Sequence, residues 1–133
     1  MPPEFWIGIE QFNQQEFYAC HDTLEALWME AVEPEKTLYQ GILQIAVGFY
    51  HLGNQNRRGA IILLGEGMNR LRRYQPESAE LDVAQLLAES QMIQAKLQQD
   101  QLAEQNSGQM PQLIQQPELL PQIVRYLPPP TES

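Results

Sequence analysis

Phe17-Tyr18-Ala19-Cys20-His21-Asp22-Thr23-Leu24-Glu25-Ala26-Leu27-Trp28 is the stretch that decides how this chain is read. Its large residues recur at helical spacing, which predicts an amphipathic helix. The expected core stripe is Phe17, Cys20, His21, Leu24, Leu27, Trp28 and Ala31, with a histidine where a leucine would be usual. His21 and Glu25 are four residues apart, so they stand one turn from each other on one side. An imidazole and a carboxylate so placed can hold a metal, run acid/base chemistry or hydrogen-bond inside a core.

Working outward, Asn13 followed by Glu16 reads as an N-cap with a capping box, which starts this helix near Gln14 and runs it to Ala31. Glu33-Pro34-Glu35 closes it and opens a second helix, because proline is tolerated in a first turn. That second helix, about Pro34 to Leu52, is apolar around most of its circumference and is expected to be central. Gly41 and Gly48 would let a neighbouring backbone come close. Gly53-Asn54-Gln55-Asn56 reads as a turn with Asn56 as the next helix cap. A third helix is expected to Tyr74, burying Ala60, Ile61, Leu63, Leu64, Gly67, Met68 and Leu71, with Gly59 allowing close packing.

A fourth helix is expected from about Ala79 to Glu104, with Leu81, Ala84, Leu87, Ala88, Met92, Ala95 and Leu102 inward. Beyond Asn106 the prolines forbid long regular helix. A short helical piece through Leu119, Leu120, Ile123, Val124 and Leu127 is expected to pack on the rest. No strand signal stands out. The pattern predicts an all-α, single-domain antiparallel helical bundle over residues 1–128, with four main helices plus a short C-terminal helix. Residues 129–133 are expected to be a disordered tail.

The 133 residues suffice to bury a core without staples. Cys20 is the single cysteine, which excludes an intrachain disulfide framework and fits a reducing compartment. Met1-Pro2-Pro3-Glu4 has neither a basic region nor an apolar run, so a secretory signal is not expected. The most apolar segment, Gly41 to Gly53, is interrupted by Gln44 and His51 and is too short to span a bilayer. The expectation is a soluble, cytoplasmic protein with no membrane partner. A formal net charge of −9 opposes binding to nucleic acid, which needs clustered Lys and Arg. Five of the eight bases are arginines between Arg57 and Arg73, and Arg70, Arg72 and Arg73 suit the C-terminal dipole of the third helix.

If the first two of these helices form a hairpin around Glu33, His21 lies near the level of Gln44 and Glu25 near that of Gln40. A polar network of His21, Glu25, Gln40 and Gln44 follows, as buried polar groups need partners. A divalent metal such as zinc asks for three protein ligands. His51 would stand about 10 Å along the axis from His21 at helical rise, too far in this register. Glu66 has a suitable level but the wrong projected direction. A slipped register, or a ligand from a second subunit, could complete a site. His21-Asp22 also matches the adjacent pair of some phosphohydrolases, although Asp22 should point about 100° away from His21. His51 otherwise suits a helix C-terminus, and Trp28 either joins the core or walls a pocket beside Glu25. No phosphate loop, Cys-x-x-Cys pair or nucleophile elbow is present.

Phe12-Asn13, Glu16-Phe17-Tyr18 and His21-Asp22-x-x-Glu25-x-x-Trp28 together resemble the opening motif of the small all-helical family catalogued as domain of unknown function 309. Tyr39-Gln40-Gly41, Gln44-x-Ala46, His51 and Asn56-x-x-Gly59-Ala60 continue the likeness, which spans about Phe12 to Leu71. The resemblance implies a compact helical bundle, with His21, Glu25, Gln44, His51 and Asn56 at the motif positions. Some relatives are labelled predicted metal-dependent hydrolases, on the strength of the His-x-x-x-Glu pattern. Two functional readings follow. One is a helical module that binds a protein partner or forms a homo-oligomer, with His21 and Glu25 in a structural network. The other is a metal-dependent hydrolase using His21 and Glu25, with His51 or a second subunit as third ligand.

Overall fold

Phe5, Ile9 and Phe12 recur at spacings of four and three, and this short apolar stripe builds a helix that the sequence reading does not contain. The computed structural model describes residues 1–107 and 120–125. In it α1 covers Pro3–Asn13, with a proline at its start where the missing N–H costs nothing. The chain then turns at once. Gln15 takes a φ of 64°, and Gln14, Gln15 and Glu16 donate back to Glu10, Phe12 and Gln11.

This corrects the expected role of Asn13. It is the last residue of α1 and does not cap the next helix, where Glu16 holds the cap position without a side-chain bond. Asn13 instead fastens a distant segment: its Nδ2 donates to the Ile123 carbonyl at 3.0 Å, and its Oδ1 accepts from the Ile123 N–H at 2.6 Å.

Helix α2 runs Phe17–Glu30 and α3 runs Glu35–Gly53. The pair forms the expected hairpin, and α3 is central, packed on α2 on one side and on the next helix on the other. Phe49 of α3 stacks on Phe17 of α2 and Phe12 of α1, with ring centres 5.5 and 6.1 Å apart. Helix α4, Arg57–Leu71, begins where the Asn56 Oδ1 accepts from the Gly59 N–H at 3.0 Å, and a 3₁₀ turn over Arg72–Tyr74 ends it.

A two-residue hairpin follows, β1 at Glu77–Ser78 and β2 at Leu81–Asp82, paired antiparallel. Its turn residues Ala79 and Glu80 both have positive φ, the backbone of a tight hairpin turn built without glycine. Helix α5 is Val83–Ser107 and packs on α4. Its buried stripe is Val83, Leu86, Leu87, Ser90, Ile93, Leu97 and Asp100. Met92 and Leu102, expected inward, are 73% and 58% exposed, because the true stripe includes Ser90 and Asp100, which an apolar count passes over.

The expected C-terminal helical piece is also corrected. The described residues Leu120 to Arg125 are not helical: Leu81 bridges to Arg125, and the Asp82 N–H donates to the Val124 carbonyl at 2.9 Å. Arg125 pairs with Glu80 and lies 3.9 Å over the Trp6 ring, so this segment straps the hairpin to α1. Leu119, Leu127 and the tail at 129–133 lie outside the described residues. The architecture is the all-α bundle that was expected, with a small two-strand appendage. Among the described residues, no helix is long and apolar enough to cross a membrane.

Cys20 is fully buried in α2, and this burial pushes its thiol up to about 12. A thiolate is the reactive species, so the folded protein should not react with Ellman's reagent at pH 8, and reaction should appear only in denaturant. Prompt labelling of the native chain would contradict the packing of α2 on α1.

Candidate functional site

A single turn of α2 places His21, Asp22 and Glu25 together at the surface. The core stripe of α2 is Phe17, Cys20 and Leu24. His21 sits at its margin, with a quarter of its side chain exposed, so it is a rim residue and not the core residue the periodicity suggested. His21 Nε2 lies 2.9 Å from the Glu25 carboxylate, the one-turn pairing that the spacing requires. Its Nδ1 lies 3.3 Å from the Asp22 carboxylate, yet this atom is buried and has no hydrogen-bond partner.

The position of Asp22 corrects the sequence reading. Its Cβ leaves the helix about 100° from that of His21, but a carboxylate can swing back over its neighbour. One donor atom from each of His21, Asp22 and Glu25 lies within 4.8 Å of the others. This combination of nitrogen and oxygen donors suits a divalent ion of the zinc or manganese type.

Beside this turn is a cleft of about 190 Å³ between α2 and α3, lined by His21, Glu25, Trp28, Gln40, Leu43 and Gln44. The two amides therefore come to the level of the His21/Glu25 pair, as counting from Glu33 expects. Among the described residues, however, no hydrogen bond joins either amide to that pair. Gln44 is turned toward α4: its Nε2 donates to Glu66 at 3.4 Å, and its Oε1 accepts from Arg70 at 3.1 Å. Glu66 thus reaches α3 despite its unfavourable projection, because its side chain is long enough to fold over the helix surface. Trp28 walls the cleft, and its indole N–H is also buried without a partner. Lys36 lies 4.6 Å over the Trp28 ring and donates to the Trp28 carbonyl.

His51 does not join the converging groups. It stands near the C-terminal end of α3, where its Nδ1 lies 3.3 Å from the Asn56 Nδ2. Two exposed tyrosines separate it from His21: ring centres run from His21 to Tyr18 at 5.9 Å, to Tyr50 at 5.3 Å and to His51 at 6.2 Å. The ligand set His21, Glu25 and His51 is therefore corrected. The third group near the pair is Asp22, from the same turn. A larger depression of about 590 Å³ lies at the start of α3, floored by Leu38 and Tyr74 with Glu33 and Arg73 paired near its rim. Sequence reading gave no signal for it, because it forms where the α2–α3 connection meets the hairpin.

The family model described as "Domain of unknown function (DUF309)" matches residues 5–63. The "Uncharacterized protein YpuF" of Bacillus subtilis (strain 168) is 31% identical over 74 residues, 53% of this chain and 42% of that protein. The chain thus spans less than half the length of that curated relative. No solved structure matches. The matched segment takes in most of α1, all of α2 and α3 and the first half of α4, and the His21/Glu25 turn lies within it, so residues 5–63 are similar to the family of domain of unknown function 309.

Proposed function

We propose that this chain is a binding module that takes up a divalent cation such as zinc on His21, Asp22 and Glu25. The observation that carries the reading is the convergence of one imidazole and two carboxylates within 4.8 Å on an exposed turn of α2. The unpartnered His21 Nδ1 supports it, since a buried polar atom without a partner costs about 1–3 kcal/mol. Three protein donors on one turn leave the remaining positions of an ion to water or to a second molecule.

A second reading, a metal-dependent hydrolase, is favoured by the adjacent cleft, whose Gln40 and Gln44 amides could orient a small polar group. A bound divalent ion supplies Lewis acidity and lowers the pKa of a water it holds.

Elemental mass spectrometry on untagged protein dialysed against zinc tests the cation. The expected result is stoichiometric metal, with affinity falling at least tenfold in His21→Ala and in Glu25→Gln. No metal in the parent protein, with a large fall in melting temperature for His21→Ala, would overturn the reading. The pair would then be a structural contact between successive turns of α2. Hydrolysis is judged separately, by turnover of generic phosphate and carboxylate esters in loaded protein against loaded Glu25→Gln. Equal rates would leave a binding module.

A further inference from the structure

Asn13, the last residue of α1, carries a side-chain amide whose donor and acceptor match those of a peptide unit. Both go to one residue: its Nδ2 donates to the Ile123 carbonyl at 3.0 Å, and its Oδ1 accepts from the Ile123 N–H at 2.6 Å. From the hairpin, the Asp82 N–H donates to the Val124 carbonyl, and Leu81 bridges antiparallel to Arg125. Residues 120–125 thus lie along β2 as an added edge, held through main-chain groups that any sequence carries. Peptides added to a sheet edge are gripped in this way.

Selectivity comes from alternate side chains, which share one face of an extended segment. Pro121 and Ile123 are buried, while Gln122 and Val124 are exposed. Arg125 continues the alternation with its guanidinium 3.9 Å over the Trp6 ring and 2.9 Å from the Glu80 carboxylate. An aromatic face beside a carboxylate suits an arginine. Arg125 and Glu80 are each about half exposed, 48% and 46%, so this anchor can exchange without opening the core. The walls of the groove have supports of their own. Trp6 packs edge-on against the buried Phe5, with ring centres 5.0 Å apart. β1 and β2 pair with each other, and the Ala84 N–H donates to the Pro76 carbonyl at 3.0 Å.

We propose that the groove between α1 and the β1–β2 hairpin is a docking site for an extended segment of a partner protein, one with an aliphatic residue two positions before an arginine. Residues 120–125 are its resident occupant, which the partner displaces. Tethering favours the resident by an effective concentration on the order of millimolar. Disabling the resident therefore strengthens binding in trans. The groove uses none of His21, Asp22 and Glu25, so it stands apart from the cation reading.

Fluorescence anisotropy of a labelled, end-blocked peptide of sequence 120–125, titrated with the full chain, tests this. The parent should bind it weakly. The Ile123→Asp/Arg125→Glu double variant should bind at least tenfold more tightly, and adding Asn13→Ala or Glu80→Gln should remove that gain. A peptide carrying Arg125→Glu should not bind. Circular dichroism checks the fold of each variant. If the double variant unfolds, Arg125→Ala alone loosens the exposed anchor and should bind the peptide at least threefold more tightly than the parent. A folded variant with the parent's affinity, or with equal affinity for both peptides, would overturn the proposal. So would a parent dimer that the double variant dissolves in sedimentation equilibrium, because the occupant would then be a second copy of this chain.

Discussion

Phe49→Ala should cost the protein about 3–5 kcal/mol, the range seen when a buried phenylalanine is truncated in a core. Its ring is 1% exposed and is the one α3 contributes to a cluster with Phe12 of α1 and Phe17 of α2. Removing it leaves a cavity lined by three helices that are joined to one another elsewhere, so the site cannot collapse freely. Against a total stability of roughly 5–15 kcal/mol, such a loss leaves a chain close to its unfolding threshold. The measurement is urea unfolding followed by far-ultraviolet circular dichroism, and the midpoint should fall steeply with little change in slope. A loss under about 1 kcal/mol would mean that the aromatic cluster is peripheral to the fold. The choice also bears on function. The cluster fixes the α2–α3 hairpin at one end, and the same hairpin brings Gln40 and Gln44 beside His21 and Glu25.

The parts of the fold legible in the sequence are those where one helix meets one apolar stripe. α3 announces itself by being apolar on nearly every side, and α4 by Asn56 followed by its inward leucines. α1 is hard to read because Asn13 and Glu16 imitate a helix start, when the chain there is leaving a helix. The hairpin has strands of two residues, too short to show alternation, and Ala79 and Glu80 are not the residues a tight turn advertises. The register of α5 failed for a different reason. Ser90 and Asp100 lie in its buried stripe, so counting apolar residues selects a neighbouring face.

The candidate site divides in the same way. The His21/Glu25 contact is dictated by helix geometry and can be read from spacing alone. The return of the Asp22 carboxylate toward His21 depends on side-chain torsions, and the reach of Glu66 to Gln44 depends on side-chain length. Neither is encoded in a projection of Cβ directions. His51 stands near the C-terminal end of α3, beside Asn56 and apart from the His21/Glu25 pair. Its distance from His21 follows from the hairpin register, and a register slip is not what the structure adopts.

Gly67→Ala should be the most damaging of the small substitutions, because α3 and α4 meet here backbone to backbone. A methyl group on Gly67 would lie 2.8 Å from the Gly41 carbonyl oxygen, 3.0 Å from the Ile45 nitrogen and 2.6 Å from an Ile45 side-chain carbon. Two of these three neighbours are main-chain atoms of a central helix and have no rotamer to change. The helices must separate, at a cost of about 1–3 kcal/mol for overpacking. That is equivalent to a melting temperature lower by roughly 3–10 °C for a domain of this size. Separation also draws Glu66 and Arg70, the neighbours of Gly67 on α4, away from Gln44. Cation uptake provides the sharper comparison. His21, Asp22 and Glu25 all belong to α2, which does not depend on the α3–α4 spacing, so zinc affinity in folded Gly67→Ala should match the parent within a few-fold. A tenfold loss of affinity in protein that is still folded would mean that the ion needs Gln44 or Glu66 as well, and would move the site from the turn of α2 into the cleft.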